Sequence, residues 1–342
     1  MELAGKTVIV TGGTGTVGSA IVRRLLASEA AGIRVFSRDE HKQFELRHLL
    51  PEDPRLRFLI GDTRDSSRLR RAVEGAHVIF HAAAMKHVYS CEYNPFEAVQ
   101  TNIVGTQNVI DAALDEGIER VMFASSDKAV NPTSTMGASK LMAEKLMTAA
   151  DGFRGPHPTV FTTVRFGNVI GSRGSVISVF VDQIAAGGPI TLTDRRMTRF
   201  VMPIERAVDL MFIALQLAHG GEVFVLKMPA LRIEDLASAL REHLSAKHGH
   251  RPDDVVIKEI GMRAGEKVWE ELMTDEEAER SLETDEMFIV LPQLRLPHSN
   301  SDGYTYPGGR PATDVTRSDS ARPLSKEELL ALLVSCKVLV PA

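Results

Sequence analysis

A glycine-rich run occupies residues 11–18, directly after the first apolar, β-branched segment of the chain. Gly13, Gly15 and Gly18 have the spacing G-x-G-x-x-G, and a start at Gly12 gives G-x-x-G-x-x-G. Glycines permit a tight turn and let backbone N–H groups at a helix start approach a pyrophosphate. The run predicts a dinucleotide site, with an ordinary glycine turn as the alternative. The predicted cofactor residues are Thr11, Gly12, Gly13, Thr14, Gly15, Thr16, Val17 and Gly18.

The residues after the second predicted strand should choose between NAD and NADP. An acidic residue there typically accepts the ribose 2′-hydroxyl of NAD. Ser37 and Arg38 can instead bind a 2′-phosphate, so the sequence favours NADP, with Lys42 close by. The alternative is that Arg38 is a solvated charge and Asp39 binds NAD. Asp62, after the third strand, is expected either against the adenine or as a helix N-cap.

Asp127 and Lys128 place a carboxyl group and an amine side by side after the fifth predicted strand. Open α/β sheets bind ligands at this end of their strands, so the pair could supply an acid and a base. A surface salt bridge is the alternative. A lysine with an ordinary pKa near ~10.4 needs a lower one to act as a base at neutral pH. We expect burial and the cations Lys86 and Lys140 to lower the pKa of Lys128.

An alternation of strands and helices must position these residues. Strands that alternate with helices imply parallel strands joined by right-handed crossovers. Apolar strands without polar alternation fit a sheet that is covered on both faces. The predicted fold is therefore α/β, a Rossmann-like, doubly wound parallel sheet with a smaller C-terminal substrate-binding region. The apolar runs lie at 7–11, 33–36, 56–60, 78–80, 121–124 and 160–164.

We divide the chain into a cofactor-binding unit at 1–165, a second region at 166–292 and a C-terminal part at 293–342. A short apolar strand at about 221–227 could complete the sheet of the first unit. The C-terminal part starts as an arm rich in Pro, Gly and Ser. Ser325, with a glutamate three residues later, predicts the start of a final helix.

Composition excludes several classes of protein. The 342 residues are 44% apolar and 25% charged, which excludes a disordered chain, and the net charge of −5 argues against a nucleic-acid partner. We find no apolar stretch long enough for membrane insertion and expect no signal peptide, hence a cytoplasmic protein. Cys91 and Cys336 are too few for a disulfide framework. We predict no metal site, because His248 and His250 lack carboxylate or thiolate partners.

Several further motifs give the chain a family resemblance. It resembles the extended short-chain dehydrogenase/reductases and, more narrowly, the UDP-N-acetylglucosamine 4,6-dehydratases of polysaccharide biosynthesis. The resemblance covers nearly the whole chain, and the tail at 317–333 is most similar to the capsule-type, 5-inverting branch. The motifs are SRDE at 37–40, HAAAMKHV at 81–88, Asn102, GT at 105–106, SDKAV at 126–130, RFGNV at 165–169, SRGSV at 172–176, MTRF at 197–200 and GEKVWEEL at 265–272.

The resemblance implies a reaction without net oxidation. A hydride leaves sugar carbon 4 for NADP⁺, a base removes the acidified proton on carbon 5, and an acid protonates the departing 6-hydroxyl before the hydride returns to carbon 6. By resemblance, Asp127 is the acid and Lys128 the base. Met136 stands where these enzymes usually have the tyrosine of Tyr-x-x-x-Lys. Because a thioether accepts no proton, Asp127, Ser126 or a water held by Lys140 are the candidates for the base at the 4-hydroxyl.

The resemblance also implies the remaining binding residues. UDP needs phosphate contacts, and Arg binds phosphate in a bidentate way. Arg173, Arg199 and Arg263 are the expected phosphate and uridine contacts, although a solvated surface charge is the alternative for each one singly. Asn168 could donate to the diphosphate and Glu266 could accept from the uridine ribose. Lys140 is expected on the nicotinamide ribose. Further cofactor contacts are Ala82, Ala83, Lys86 and Asn102; further substrate contacts are Lys86, His87, Ser175, Val176, Thr193 and Met202.

The sequence therefore predicts an NADP-dependent UDP-N-acetylglucosamine 4,6-dehydratase that inverts carbon 5. A retaining dehydratase or another nucleotide-sugar epimerase or dehydratase is the nearest alternative. An alternative of another class is a non-catalytic NADP-binding regulator, suggested by the missing tyrosine. The resemblance implies a homo-oligomer, from dimer to hexamer, with the arm at 293–323 as a contact. Trp269 is expected to be a packing residue.

Overall fold

Strands and helices alternate along the first half of the chain, as the sequence predicts. The computed structural model describes residues 3–172, 174–293, 304–312 and 317–339. The strands are β1 Thr7–Thr11, β2 Gly32–Ser37, β3 Leu56–Ile60, β4 Val78–His81, β5 Arg120–Ala124, β6 Val160–Arg165, β7 Asn168–Val169, β8 Ile190–Leu192, β9 Thr198–Met202, β10 Val223–Leu226, β11 Ala230–Arg232, β12 Ile257–Glu259, β13 Ser281–Glu283, β14 Met287–Val290 and β15 Arg310–Pro311. The α-helices are α1 Thr16–Leu26, α2 Glu40–Leu49, α3 Ser66–Val73, α4 Val88–Tyr93, α5 Pro95–Ala98, α6 Gly105–Asp115, α7 Thr135–Phe153, α8 Val176–Ala185, α9 Ile204–Leu217, α10 Ile233–Leu244, α11 Asp275–Glu279 and α12 Lys326–Ser335.

The central sheet has the strand order β15-β13-β14-β10-β6-β5-β4-β1-β2-β3. From β3 to β10 the neighbouring strands are parallel, while β14, β13 and β15 extend the sheet in antiparallel fashion. The order reverses beside β1, since β2 and β3 lie on one side and β4 to β6 on the other. Open sheets bind ligands outside the carboxyl ends of the strands at such a point. The fold is the predicted α/β, Rossmann-like sheet.

Helices cover both faces of the sheet. Val8 and Val10 point into a core with α1 and α9, whereas Ile9, Phe36 and Ile79 point into a second core with α3, α6 and α7. Successive side chains of a strand point to opposite faces, so a strand that is apolar throughout is buried on both. This packing explains the uninterrupted apolar runs in the sequence.

A separate core lies in the C-terminal half of the chain, where α8, α10 and α12 pack with β8 and β9. The final helix is α12, and it begins where the sequence predicts. Ser325 accepts the N–H of Glu328, whose carboxylate accepts the N–H of Ser325, a reciprocal capping box. Leu329 and Leu333 are the buried residues of this helix.

The described parts of the predicted arm pack back onto their own chain. β15 pairs with β13, and the Tyr306 hydroxyl donates to the buried Glu222 carboxylate at 2.7 Å. Further on, Ser318 exchanges hydrogen bonds with Glu270, its N–H donating to the Glu270 carbonyl and its Oγ accepting the Glu270 N–H, both at 2.9 Å. Residues 304–312 and 317–323 of the arm are thus packed into the fold, and the arm's proposed role between protomers stays a prediction.

A buried ion cluster joins the two halves of the chain. Arg165, the last residue of β6, is 1% exposed and donates to Glu144 of α7 at 2.7 Å and to Glu277 of α11 at 2.9 Å. It also donates to the Leu272 carbonyl at 2.9 Å. The two carboxylates outweigh the effect of burial and raise the pKa of Arg165. The guanidinium therefore holds α11 and its loop against the sheet.

Candidate active site

A cleft of about 880 Å³ opens at the carboxyl ends of β1, β2, β4 and β5. At two glycines in the floor of this cleft, a Cβ atom would clash with nearby backbone atoms. A Cβ on Gly12 would lie 2.6 Å from the Ala83 nitrogen, and one on Gly18 would lie 2.3 Å from the Gly12 oxygen. The N-cap of α1 is Gly15, which has no side chain with which to cap the helix. This turn fits a dinucleotide pyrophosphate, because backbone N–H groups at a helix start bind anions.

Replacing Gly12 with alanine tests this fit. The new Cβ would displace the loop after β4, so we expect the affinity for a nicotinamide dinucleotide to fall at least about tenfold, measured by isothermal titration calorimetry. Gly117→Ala is the matched control. Gly12 and Gly117 have φ angles of +65° and +64°, but a Cβ on Gly117 meets nothing within 4 Å. Both variants carry the cost of a positive φ, roughly 1–2 kcal/mol. Equal cofactor affinity in the two variants would contradict the assignment.

Most of the predicted cofactor residues line this cleft, and three lie beneath it instead. Thr11 bonds through Oγ1 to His81 Nδ1 at 2.7 Å, and Gly13 packs against Val35. Asn102 bonds to the Met85 backbone and to Ser139, so it joins the loop after β4 to α7. These three residues build the floor of the cleft, and a direct contact between each of them and the cofactor stays a prediction. The predicted residues that line the cleft are Gly12, Thr14, Gly15, Thr16, Val17, Gly18, Ser37, Arg38, Lys42, Asp62, Ala82, Ala83, Lys86 and Lys140.

The edge of the cleft beside β2 carries the residues predicted to select the cofactor. The Asp39 carboxylate caps α2 by accepting the Lys42 N–H at 3.0 Å, and it pairs with the Lys42 ammonium at 2.8 Å. The hydrogen bonds from Lys42 hold the pKa of Asp39 below its usual range. Arg38 is 60% exposed and lies 3.7 Å from Asp62. Asp65, not Asp62, caps α3, so the helix-cap alternative for Asp62 is wrong.

A smaller cavity of about 320 Å³ adjoins the cleft. Lys128 and Asn168 line both spaces and therefore stand at their junction. Met202 is buried in the main core and lines neither space, so its contact with the substrate stays a prediction. Arg173 lies outside the described residues. Lys86 and His87 line the cleft; the other predicted substrate residues line the smaller cavity, namely Asn168, Ser175, Val176, Thr193, Arg199, Arg263 and Glu266.

Arg199 is buried and mainly supports the loop at 265–272. Its guanidinium donates to the Thr198 carbonyl at 2.7 Å and to the Lys267 carbonyl at 2.8 Å. Its charge still borders the cavity, and a phosphate contact stays a prediction. Trp269 in the same loop is 38% exposed and lies under the Arg317 guanidinium at 4.4 Å. It is thus a partly exposed stacking residue, which the sequence did not predict.

Lys128 is held by hydrogen bonds at the junction. Its Nζ donates to Asp127 Oδ1 and to Asn168 Oδ1, each at 3.0 Å, and lies 3.5 Å from Glu270. Asp127 is completely buried, and Ser126 donates to the same Oδ1 at 3.0 Å. Burial alone would lower the pKa of Lys128, but Asp127 and Glu270 outweigh it and raise the pKa. The predicted lowering is wrong, because carboxylates rather than Lys86 and Lys140 are the nearest charges.

Lys140 is the amine of the site whose pKa is lowered. Burial reduces the pKa of Lys140 to about 8. Its Nζ donates to the Ala124 carbonyl at 2.8 Å and lies 4.5 Å from the centre of the Phe123 ring. Met136 is buried against Cys91 and Ala98, as expected for an apolar position.

Glu270 is the main residue of this site that sequence reasoning missed. It is 2% exposed and lines the smaller cavity. Its only signal was a place in the GEKVWEEL motif at 265–272, where three glutamates are equivalent on spacing alone. Within the described residues, no three His, Cys, Asp or Glu side chains are grouped so that they could hold a metal ion. Over the same residues, no helix combines the length and apolarity needed to cross a membrane.

Comparisons with known proteins agree with this architecture. Residues 8–292 match the family described as polysaccharide biosynthesis protein. A UDP-N-acetylglucosamine 4,6-dehydratase (inverting) of Campylobacter jejuni is 40% identical over 300 residues, 87% of this chain and 86% of the relative. A UDP-glucose 4-epimerase of Rickettsia conorii is 44% identical over 276 residues, 80% of this chain and 79% of the relative.

Two solved structures are also similar. Pen of Bacillus thuringiensis superimposes with a TM-score of 0.90 at 43% identity, covering 98% of this chain and 99% of that chain. DesIV, a dTDP-glucose 4,6-dehydratase of Streptomyces venezuelae solved with NAD and TYD bound, has a TM-score of 0.67 at 25% identity, covering 77% and 86%. The chain therefore belongs to the polysaccharide biosynthesis protein family, within the nucleotide-sugar dehydratases and epimerases of the short-chain dehydrogenase/reductase fold.

Proposed function

We propose that this protein is a UDP-N-acetylglucosamine 4,6-dehydratase that inverts carbon 5 and uses NADP. The observation that carries the proposal is the hydrogen-bonded pair of Asp127 and Lys128, with Lys128 at the junction of the two cavities. An acid and a base are needed at carbons 5 and 6 only if water is removed. The inverting dehydratase of Campylobacter jejuni supports the same reaction.

The cleft would hold the dinucleotide and the smaller cavity the UDP-sugar. When bound, a nicotinamide cofactor supplies the reversible hydride acceptor that the reaction needs. Gly12, Gly15 and Gly18 would hold its pyrophosphate, and Lys140 its nicotinamide ribose. Asn168, Arg263 and Glu266 would contact the UDP. These last assignments follow from their place in the cavity wall.

The hydrogen bond from Lys128 Nζ to Asp127 Oδ1 provides a path for proton transfer between the two side chains. Moving one proton from Lys128 Nζ to Asp127 Oδ1 breaks an N–H bond, forms an O–H bond and leaves the net charge unchanged. The resulting amine can take the proton from carbon 5. Because Asp127 is fully buried while Ser126 lines the cleft, we propose that the acid acts through the Ser126 hydroxyl, which accepts its proton and donates its own to the departing 6-hydroxyl.

The 4-hydroxyl needs a different proton acceptor, since Met136 cannot serve. Lys140 lines the cleft and has a pKa lowered to about 8, so part of it is neutral near physiological pH. We propose that Lys140, directly or through a water, accepts this proton. Ser126 and Asp127 then belong to the later dehydration step.

The preference for NADP can be tested at Arg38. Arg38 is exposed at the cleft edge, whereas the Asp39 carboxylate is already bound to Lys42. We expect Arg38→Ala to weaken NADP binding about 10- to 100-fold, because hydrogen bonds to charged groups contribute about 1.5–3 kcal/mol. NAD binding should stay unchanged. Arg47→Ala, an exposed position on α2, is the control. An equal loss for both cofactors, measured by titration calorimetry, would contradict the NADP assignment.

Incubation of the protein with NADP and UDP-N-acetylglucosamine, followed by proton NMR, tests the reaction itself. We expect a UDP-2-acetamido-2,6-dideoxy-hexos-4-ulose of the L-arabino series. A D-xylo product would mean retention at carbon 5. Inversion at carbon 4 without loss of water would mean an epimerase, as the name of the Rickettsia conorii relative suggests. No turnover with any UDP- or TDP-hexose would favour a regulator. Cytoplasmic location and a homo-oligomer stay predictions.

A further inference from the structure

Glu270 lines the smaller cavity, and three cationic side chains lie within 4 Å of its carboxylate. Its Oε1 is 3.5 Å from Lys128 Nζ and 3.7 Å from Arg199 Nε, and its Oε2 is 3.9 Å from Lys267 Nζ. The buried Oε2 accepts no hydrogen bond within the described parts of the chain. Burying a carboxylate this deeply costs free energy unless nearby cations compensate its charge.

The backbone of Glu270 is held by hydrogen bonds of its own, in addition to the ion pairs of its carboxylate. Ser318 is 1% exposed and forms two hydrogen bonds with the backbone of Glu270. The same hydroxyl bonds to Thr198 Oγ1 at 2.7 Å, next to Arg199 on β9. Ser318 thus joins the backbone of Glu270 to β9, the strand that carries Arg199.

We propose that Glu270 is a positioning residue for the proton-transfer step, holding Nζ of Lys128 between two carboxylates at the junction of the two cavities. The inference rests on the function proposed above. Asp127 contacts Lys128 from the turn after β5, and Glu270 approaches it from the loop at 265–272. The two carboxylates raise the pKa of Lys128, so they hold it as an ammonium group. The proton that Lys128 must give up therefore has a defined destination, Asp127, across a hydrogen bond of 3.0 Å.

The charged groups around Lys128 belong to several different segments of the chain. Asp127 belongs to its own turn, Arg199 comes from β9, and Lys267 and Glu270 come from the loop at 265–272. Lys86, His87 and Lys140 line the cleft, and Arg263 and Glu266 line the smaller cavity. Asp127 and Glu270 raise the pKa of Lys128, while Arg199 and burial oppose them. Removing the charge of Glu270 should therefore lower the pKa of Lys128.

The variant Glu270→Gln tests this inference in an assay that does not depend on enzyme activity. The full-length protein is treated with acetic anhydride over a series of pH values, and acetylation of Lys128 is followed by mass spectrometry. Only the neutral amine reacts. We expect the midpoint for Lys128 to fall by about one pH unit or more in the variant, the size typical for loss of a nearby opposite charge. Glu271→Gln is the matched control, since Glu271 bonds to Asn131 instead and should leave the midpoint unchanged.

An unchanged midpoint in a folded Glu270→Gln protein would overturn the proposal. If that variant does not fold, Glu270→Asp keeps the charge but moves it away, and we expect a smaller downward shift; no shift would again overturn it. In the active enzyme, the acid limb of the pH profile of kcat should move to lower pH in Glu270→Gln, because Lys128 then becomes a base more easily. A midpoint shift without turnover by the wild type would support the Glu270–Lys128 coupling and contradict the proposed dehydratase.

Discussion

Lys128→Ala is expected to lower kcat on UDP-N-acetylglucosamine about 10²- to 10⁴-fold, the usual contribution of a general base. Lys128 Nζ stands where the two cavities meet, and its hydrogen bond to Asp127 Oδ1 carries the exchangeable proton. Alanine removes both the proposed base at carbon 5 and the hydrogen-bond partner of Asp127. Steady-state kinetics, with the 4-keto product followed by its absorbance in alkali, measures the effect.

The same variant should keep its affinity for the dinucleotide, because the glycine turn follows β1 and the edge residues follow β2, whereas Lys128 follows β5. Lys145→Ala, at an exposed position of α7, is the control and should keep wild-type activity. A Lys128→Ala protein that binds NADP and turns over at the wild-type rate would show that another group removes the carbon 5 proton. Loss of cofactor binding together with activity would instead indicate a damaged cleft.

Arg165→Met is expected to reduce the free energy of unfolding by about 3–5 kcal/mol, the range found when one partner of a buried ion pair is removed. Arg165 is 1% exposed and binds Glu144 and Glu277. Methionine fills much of the volume but leaves two carboxylates buried without their cation. Denaturant unfolding of wild type and variant at pH 7 gives the difference directly.

The effect should depend on pH in a defined direction. Burial would raise the pKa of Glu277, but Arg165 outweighs it and lowers that pKa. The ion pair therefore stabilises the fold above the ordinary glutamate range near ~4.3, and its contribution is lost as the pH falls through the lowered pKa. Arg24→Met is the control, because Arg24 and Asp209 form an exposed pair at 3.0 Å worth at most about 1 kcal/mol. Equal losses in the two variants would contradict the role of Arg165.

Local pattern was enough to predict the parallel part of the fold. The apolar runs that became β1 to β6 alternate with helical periodicity, and such an alternation permits few arrangements other than a doubly wound sheet. The capping box at Ser325 was equally readable, since its partner is three residues away. The antiparallel strands β13 to β15 were not predicted. They are two to four residues long, too short for a periodic pattern, and β14 and β15 also pair with strands that are distant in sequence, β10 and β13.

The residues of the site could be named from spacing and family motifs, while their electrostatic state could not. The sequence pointed to Asp127, Lys128 and Lys140 as candidate acid–base groups. It predicted a lowered pKa for Lys128, but the structure lowers the pKa of Lys140 instead. Lys140 is buried beside a backbone carbonyl and an aromatic ring, which lowers its pKa to about 8. Lys128 meets the carboxylate of Glu270, a residue far away along the chain, and its pKa rises.

The amino-acid sequence thus determined the order of strands and helices, the glycine turn and the candidate acid and base, because these depend on neighbours within a few residues. Only the tertiary structure decided which charges face one another. Coulomb interactions and desolvation depend on distance in space, and Glu270 reaches Lys128 through a loop that Ser318 holds from the C-terminal segment. The sequence therefore places Asp127 and Lys128 side by side, and the fold sets the pKa of Lys128 by bringing Glu270 to it.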